Sequence, residues 1–128
     1  MKNIVILGST GSIGRNALRV AREMPGAFNI VGLAVNGSVD QLIAQAAEFH
    51  PAMVAAFDHG AQRKLKGKVG RARILEAGVE GLCEMASAKD VDVVLTSLVG
   101  WIGFAPLLAA LKAGKTVALA NKEPMVMA

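Results

Sequence analysis

Two kinds of apolar segment alternate along this 128-residue chain, and that alternation limits its fold more than any single residue does. Residues 4–7, 30–35, 53–57, 91–95 and 116–120 are short, apolar runs closed by Gly, Asn, Asp or Ser. Continuous runs of that length predict strands buried on both faces, as in a parallel sheet. Between them the apolar residues follow helical spacing. Ile13, Ala17, Val20, Ala21 and Met24 form one stripe, ended by Pro25-Gly26, with Arg15, Arg19 and Arg22 on the polar side. Val39, Leu42, Ile43 and Ala46 form a second, and Phe104, Leu107, Leu108 and Leu111 a third. The third has Pro106 in its expected first turn and Gly114 just past its end. A weaker helix is expected over 79–88. Strand and helix in this order predict right-handed βαβ units. The expected fold is a single α/β domain over 1–128, a doubly wound parallel sheet with helices on both faces.

Composition narrows the function classes. Hydrophobic residues make up 53% of the chain but aromatics only 4%, and tyrosine is absent. The core must be built from Ala, Val, Ile and Leu. No apolar run approaches the roughly 18 residues of a membrane span, and residues 4–7 are too few for a signal-peptide core. The single cysteine, Cys83, forms no internal disulfide and fits a reducing, cytoplasmic setting. The net charge of +4 is concentrated in Arg63, Lys64, Lys66, Lys68, Arg71 and Arg73; the remaining 8 basic and 10 acidic residues sum to −2. No aromatic residue is interleaved there to stack on bases. A solvated connection is expected from this segment, not a nucleic-acid surface.

The turn after the first strand reads Gly8-Ser9-Thr10-Gly11-Ser12-Ile13-Gly14. A glycine pattern that follows a strand and opens a helix is the Rossmann-type context for dinucleotide binding. Gly8 permits the tight turn, Gly11 lets a pyrophosphate approach the backbone, and Gly14 lets the helix pack closely. Amides at the helix start face the phosphates, and Ser9, Thr10 and Ser12 add hydroxyl donors. A turn that merely eases packing is the plainer alternative.

About 20 residues past such a motif, an NAD site carries an acid for the ribose 2′-hydroxyl. Here Asn36, Gly37 and Ser38 stand at that point, with no acid until Asp40, which favours NADP. Ser38 with Gln41 also forms a capping-box pattern, and the two roles can coexist. Asn121, Lys122 and Glu123 follow the last strand, on the side where open α/β sheets bind ligands. Either Lys122 holds a substrate phosphate while Asn121 and Glu123 bind the nicotinamide ribose, or the trio is an exposed polar group at a strand end. Residues 97–103 form a further loop within reach of the cofactor's ring.

Three stretches together resemble the 1-deoxy-D-xylulose 5-phosphate reductoisomerase family: G-S-T-G-S-I-G at 8–14, L-V-G-x-x-G at 98–103, and Ala-Gly-Lys-Thr at 113–116 leading to Ala-Asn-Lys-Glu at 120–123. The likeness covers essentially the whole chain and is similar to the N-terminal, NADPH-binding domain. It implies an oxidoreductase that uses NADPH and a divalent cation (Mg, Mn or Co). The reaction rearranges and reduces 1-deoxy-D-xylulose 5-phosphate to 2-C-methyl-D-erythritol 4-phosphate in non-mevalonate isoprenoid biosynthesis. By position, it implies that Thr10, Gly11, Ser12 and Ile13 hold the cofactor phosphates and Asn36, Gly37 and Ser38 the 2′-phosphate end. Asn121 and Glu123 would contact NADPH, and Lys122 the phosphorylated sugar substrate.

The chain departs from the family in three places. Gly-Lys-Asn is common where Asn36-Gly37-Ser38 stands, so the usual cation beside the 2′-phosphate is missing. Pro124 replaces a common Ser, and Trp101 and Ile102 are larger than usual. The resemblance also implies a substrate and metal domain and a C-terminal domain beyond these residues, and a homodimeric whole enzyme. These 128 residues alone are expected to be inactive. His50 is expected to end a helix before Pro51, His59 to lie in a turn, and Cys83 to be a small core residue. Two alternatives share the same turn: another NADP-dependent oxidoreductase of semialdehyde dehydrogenase type, and a non-catalytic NAD(P)-binding module.

Overall fold

The computed structural model describes residues 1–98 and 100–119. In chain order the elements are β1 (Lys2–Leu7), α1 (Ser12–Glu23), β2 (Phe28–Val35), α2 (Val39–Phe49), β3 (Met53–Ala56), α3 (His59–Lys64), β4 (Arg73–Ile74), α4 (Val79–Ser87), β5 (Val93–Thr96), α5 (Gly100–Lys112) and β6 (Thr116–Leu119). All strand pairings are parallel, and the sheet runs β4-β3-β2-β1-β5-β6. The chain first moves outward from β1 to β4. It then crosses back to the other flank of β1, so the winding direction reverses between β1 and β5. That reversal is the crevice where doubly wound sheets bind ligands.

Right-handed crossovers put α1 to α3 on one face and α4 and α5 on the other. The buried side chains divide accordingly. Leu18, Leu42 and Ala61 meet Ile6, Leu33, Val35 and Val54 on one side. Leu82, Met85 and Ala110 meet Val5, Leu7, Ala55 and Val94 on the other. The Leu, Ile, Val and Met side chains among them stabilise the fold by roughly 1.5–3 kcal/mol each when fully buried. The aliphatic, aromatic-poor core expected from composition is the core observed.

Several local expectations are corrected. On α1 the inward residues are Gly14 and Leu18, with Ala17 and Ala21 half-buried, while Ile13, Val20 and Met24 are exposed. The cause is the close seat of Gly14 on the preceding turn, which rotates positions 14 and 18 inward together. Val20 instead lines an apolar groove of about 280 Å³ with Ile4, Ile6, Val93, Leu95 and Ala118.

The basic segment is not a simple connection. The Asp58 side chain accepts from the Ala61 amide at 2.9 Å and caps α3, so His59 begins a helix. Leu65 and Val69 are buried, and Arg73 and Ile74 add an edge strand to β3. The third predicted helix starts earlier than expected, at Gly100, so Pro106 lies inside α5. The proline costs that helix one backbone donor. His50 does end α2, in the left-handed region with φ 50°, and its amide donates to Ala46 O at 3.0 Å. Further corrections, at Ser9 and Ser38, belong to the site.

Candidate dinucleotide-binding site

Gly8 follows β1 directly. The amides of Gly8 and Ser9 both donate to Ala34 O, at 2.8 and 3.0 Å, which ties the turn to the end of β2. Gly8 has φ +95°, and a Cβ there would stand 2.5 Å from Ser97 Oγ. Both facts restrict the position to glycine. The Gly11 amide donates back to Gly8 O at 3.3 Å. At Gly14 a Cβ would overlap Gly8 O and come within 2.7 Å of Ser9 Cα. Gly14 therefore seats the helix on the turn itself.

Gly11 differs from both. It is exposed, has φ −75° and ψ 171°, and a Cβ there would meet nothing nearer than Gly8 O at 3.7 Å. The chain's own packing leaves room for a side chain at Gly11.

Helix α1 begins with no side-chain cap and no acidic residue in its first turn, so the positive end of its dipole is uncompensated. Ser12 and Ile13 are exposed there and Thr10 is half-buried. Ser9 does not join them as a hydroxyl donor. It is fully buried, and among the described residues its Oγ has no hydrogen-bond partner, nor has Thr96 Oγ1. The Ser9 carbonyl accepts from Gln45 Nε2 at 3.0 Å. On the other flank the Ser97 hydroxyl donates towards Gly8 O at 3.2 Å and Leu7 O at 3.4 Å. Ser97 thus holds the turn, a role that the expectation for the loop 97–103 did not include.

At the end of β2, Asn36, Gly37 and Ser38 are exposed. Ser38 occupies the N-cap of α2 with φ −80° and ψ 71°, and its side chain makes no capping bond. A tight turn from the Val39 amide to Gly37 O, 2.9 Å, takes the backbone out of the extended shape the capping box needs. The ladder between β2 and β3 continues past both strands, through Phe57 N to Val35 O and Asp58 N to Asn36 O, each 2.9 Å. That places the turn before α3 beside the turn before α2. A groove of about 340 Å³ results, lined by Gly37, Ser38, Val39, Asp40, Gln41 and Lys64. Sequence reasoning assigned Lys64 to a charge run and missed this placement.

Asn121, Lys122, Glu123 and Pro124 lie outside the described residues. Among the described residues no group of three or more His, Cys, Asp or Glu side chains could hold a metal ion. Burial, with a smaller effect of Glu80, pushes the Cys83 thiol above its ordinary pKa. A protonated thiol is a weak nucleophile, but Cys83 is half-buried on α4 and not the core residue expected from the sequence.

The family model of 1-deoxy-D-xylulose 5-phosphate reductoisomerase matches residues 4–128. The chain belongs to that family. A reductoisomerase of Thermodesulfovibrio yellowstonii is 49% identical over 128 residues, all of this chain and 33% of the relative. One of a Cyanothece species is 45% identical over 98% of this chain and 33% of its own length. Among solved structures, a DOX-P reductoisomerase in complex with NADPH, fosmidomycin and magnesium superposes with a TM-score of 0.92. It is 39% identical and covers 100% of this chain and 32% of its own. The Zymomonas mobilis reductoisomerase in complex with NADPH gives 0.91 at 30% identity, over 99% of this chain and 34% of its own. The chain thus spans about a third of the length of the relatives it matches. The doubly wound sheet expected from the sequence is the reductoisomerase N-terminal fold.

Proposed function

We propose that these residues form the NADPH-binding part of a 1-deoxy-D-xylulose 5-phosphate reductoisomerase, which makes 2-C-methyl-D-erythritol 4-phosphate. The observation that carries this reading is Gly11: an exposed glycine that the fold does not require, beside an uncapped helix start at the sheet's crevice. Close approach of a pyrophosphate supplies the missing reason. NADPH in two solved relatives supports it.

In this reading Thr10, Gly11, Ser12 and Ile13 receive the phosphates, and Gly8 and Gly14 shape the turn. Asn36, Gly37 and Ser38 face the 2′-phosphate. Asn121 and Glu123 contact NADPH, and Lys122 the phosphorylated sugar. Bound NADPH supplies the hydride. In this reading acidic residues elsewhere in the whole enzyme hold the divalent cation; the described residues bring together no group that fits one. No helix among them is long and apolar enough to cross a membrane. In this reading the whole enzyme works in the cytoplasm and pairs as a homodimer.

Titration with NADPH, followed by the cofactor's fluorescence, tests the reading. Saturable binding that Gly11→Val abolishes while circular dichroism stays unchanged is expected. Absence of saturable binding by the unmodified protein would overturn it.

A further inference from the structure

We infer that Lys64, on the last turn of α3, is the cation that selects the 2′-phosphate and hence NADPH over NADH. This rests on the NADPH reading above. The β2–α2 turn of this chain carries no basic residue: Asn36, Gly37 and Ser38 are followed by Val39 and Asp40. Asp40 lines the same groove, and its negative charge alone would disfavour a phosphate there. A 2′-phosphate adds about two negative charges that need a donor or a cation. Lys64 is the one basic residue lining that groove among the described residues.

Its surroundings leave it available. Among the described residues Lys64 forms no ion pair, whereas Arg73, in the same basic segment, pairs with Glu84 at 2.6 Å. Asp58, the nearest acid in sequence, is engaged in capping α3 through the Ala61 amide. Lys68 and Arg71 line a different groove, with His50, at the opposite end of the strands. The basic run of 63–73 is therefore divided between separate surfaces, and a single lysine of it reaches the β2–α2 turn. The hydrogen bond from Asp58 N to Asn36 O fixes α3 against that turn, so the lysine is carried by the sheet ladder and not by a free loop.

The test compares NADPH and NADH binding to the unmodified protein, Lys64→Ala and Lys64→Arg. For Lys64→Ala the NADPH dissociation constant should rise roughly five- to twentyfold, with NADH unchanged and Lys64→Arg restoring most of the preference. Preference for NADPH should also fall with added salt in the unmodified protein and be nearly flat with salt in Lys64→Ala. If NADPH binds the unmodified protein and Lys64→Ala changes its affinity by less than twofold, the assignment is wrong and the NADPH reading stands. It is equally wrong if NADH weakens in parallel. If the unmodified protein binds neither dinucleotide, the NADPH reading falls and the assignment with it.

Discussion

The hydroxyl of Ser97 reaches the carbonyl of Gly8 at 3.2 Å, and that carbonyl is also the atom a side chain at position 14 would strike. One backbone oxygen thus joins the end of β5, the Gly11 amide and the first turn of α1. It sits where the winding of the sheet reverses, so disturbances of the turn reach the core and the ligand crevice together.

Gly14→Ala should therefore damage the fold. The added methyl meets backbone atoms of Gly8 and Ser9, which cannot rotate away as a flexible side chain would. Overpacking of this kind costs about 1–3 kcal/mol. Urea denaturation should show the midpoint falling with the slope unchanged, and NADPH binding should be lost with it.

Gly11→Ala is predicted to separate site from fold. Its φ of −75° suits alanine and the space around it is open, so stability should hold or rise by up to ~1 kcal/mol through the stiffer unfolded chain. NADPH affinity should nonetheless drop by about tenfold or more as the methyl occupies the ligand's path. Calorimetric titration and a melting curve on the same sample decide it; equal affinities would remove the functional role from this glycine.

Ser97→Ala removes the donor to Gly8 O and Leu7 O without adding volume. The expected loss is about 1 kcal/mol, since Gly8 O keeps the Gly11 amide as a partner. NADPH should bind more weakly because the turn is less firmly held. A variant as stable as the parent and equal in affinity would show the hydroxyl to be idle.

Cys83 gives a pH dependence with a definite sign. Its thiol pKa is raised above the reference value of 9.0 by burial and then by Glu80, so the folded state favours the neutral thiol. The stabilisation is complete below the unfolded pKa and is lost as pH climbs through the folded one. Denaturation midpoints should decline above pH 9 less steeply in Cys83→Ala than in the parent. Iodoacetamide should label Cys83 more slowly in the native protein than in urea at pH 8.

The parallel sheet was readable from short apolar runs because both faces of such strands are buried, a requirement that local sequence meets directly. The glycine turn was readable for the same kind of reason: φ +95° at Gly8 and the close seat of Gly14 each demand one residue type. Where the outcome depends on distant partners, the sequence was silent. Strand β4 has only Arg73 and Ile74, and its pairing with Met53 and Val54 leaves no periodic mark. The face that α1 buries was set by the turn before it, so hydrophobic spacing pointed to Ile13 and Val20 in error. Buried Leu65 and Val69 within the basic run were the available sign that 63–73 packs against the domain. Lys64 stands 26 residues beyond Ser38 in sequence, too far for any motif to join them.

The hydrogen bonds from Phe57 N to Val35 O and from Asp58 N to Asn36 O carry the sheet's pairing beyond the ends of β2 and β3. Two turns that belong to different βα units thereby present one continuous surface. A charge needed on that surface can be housed by either unit. Either turn can therefore set the charge of that surface while the strands beneath keep their pairing.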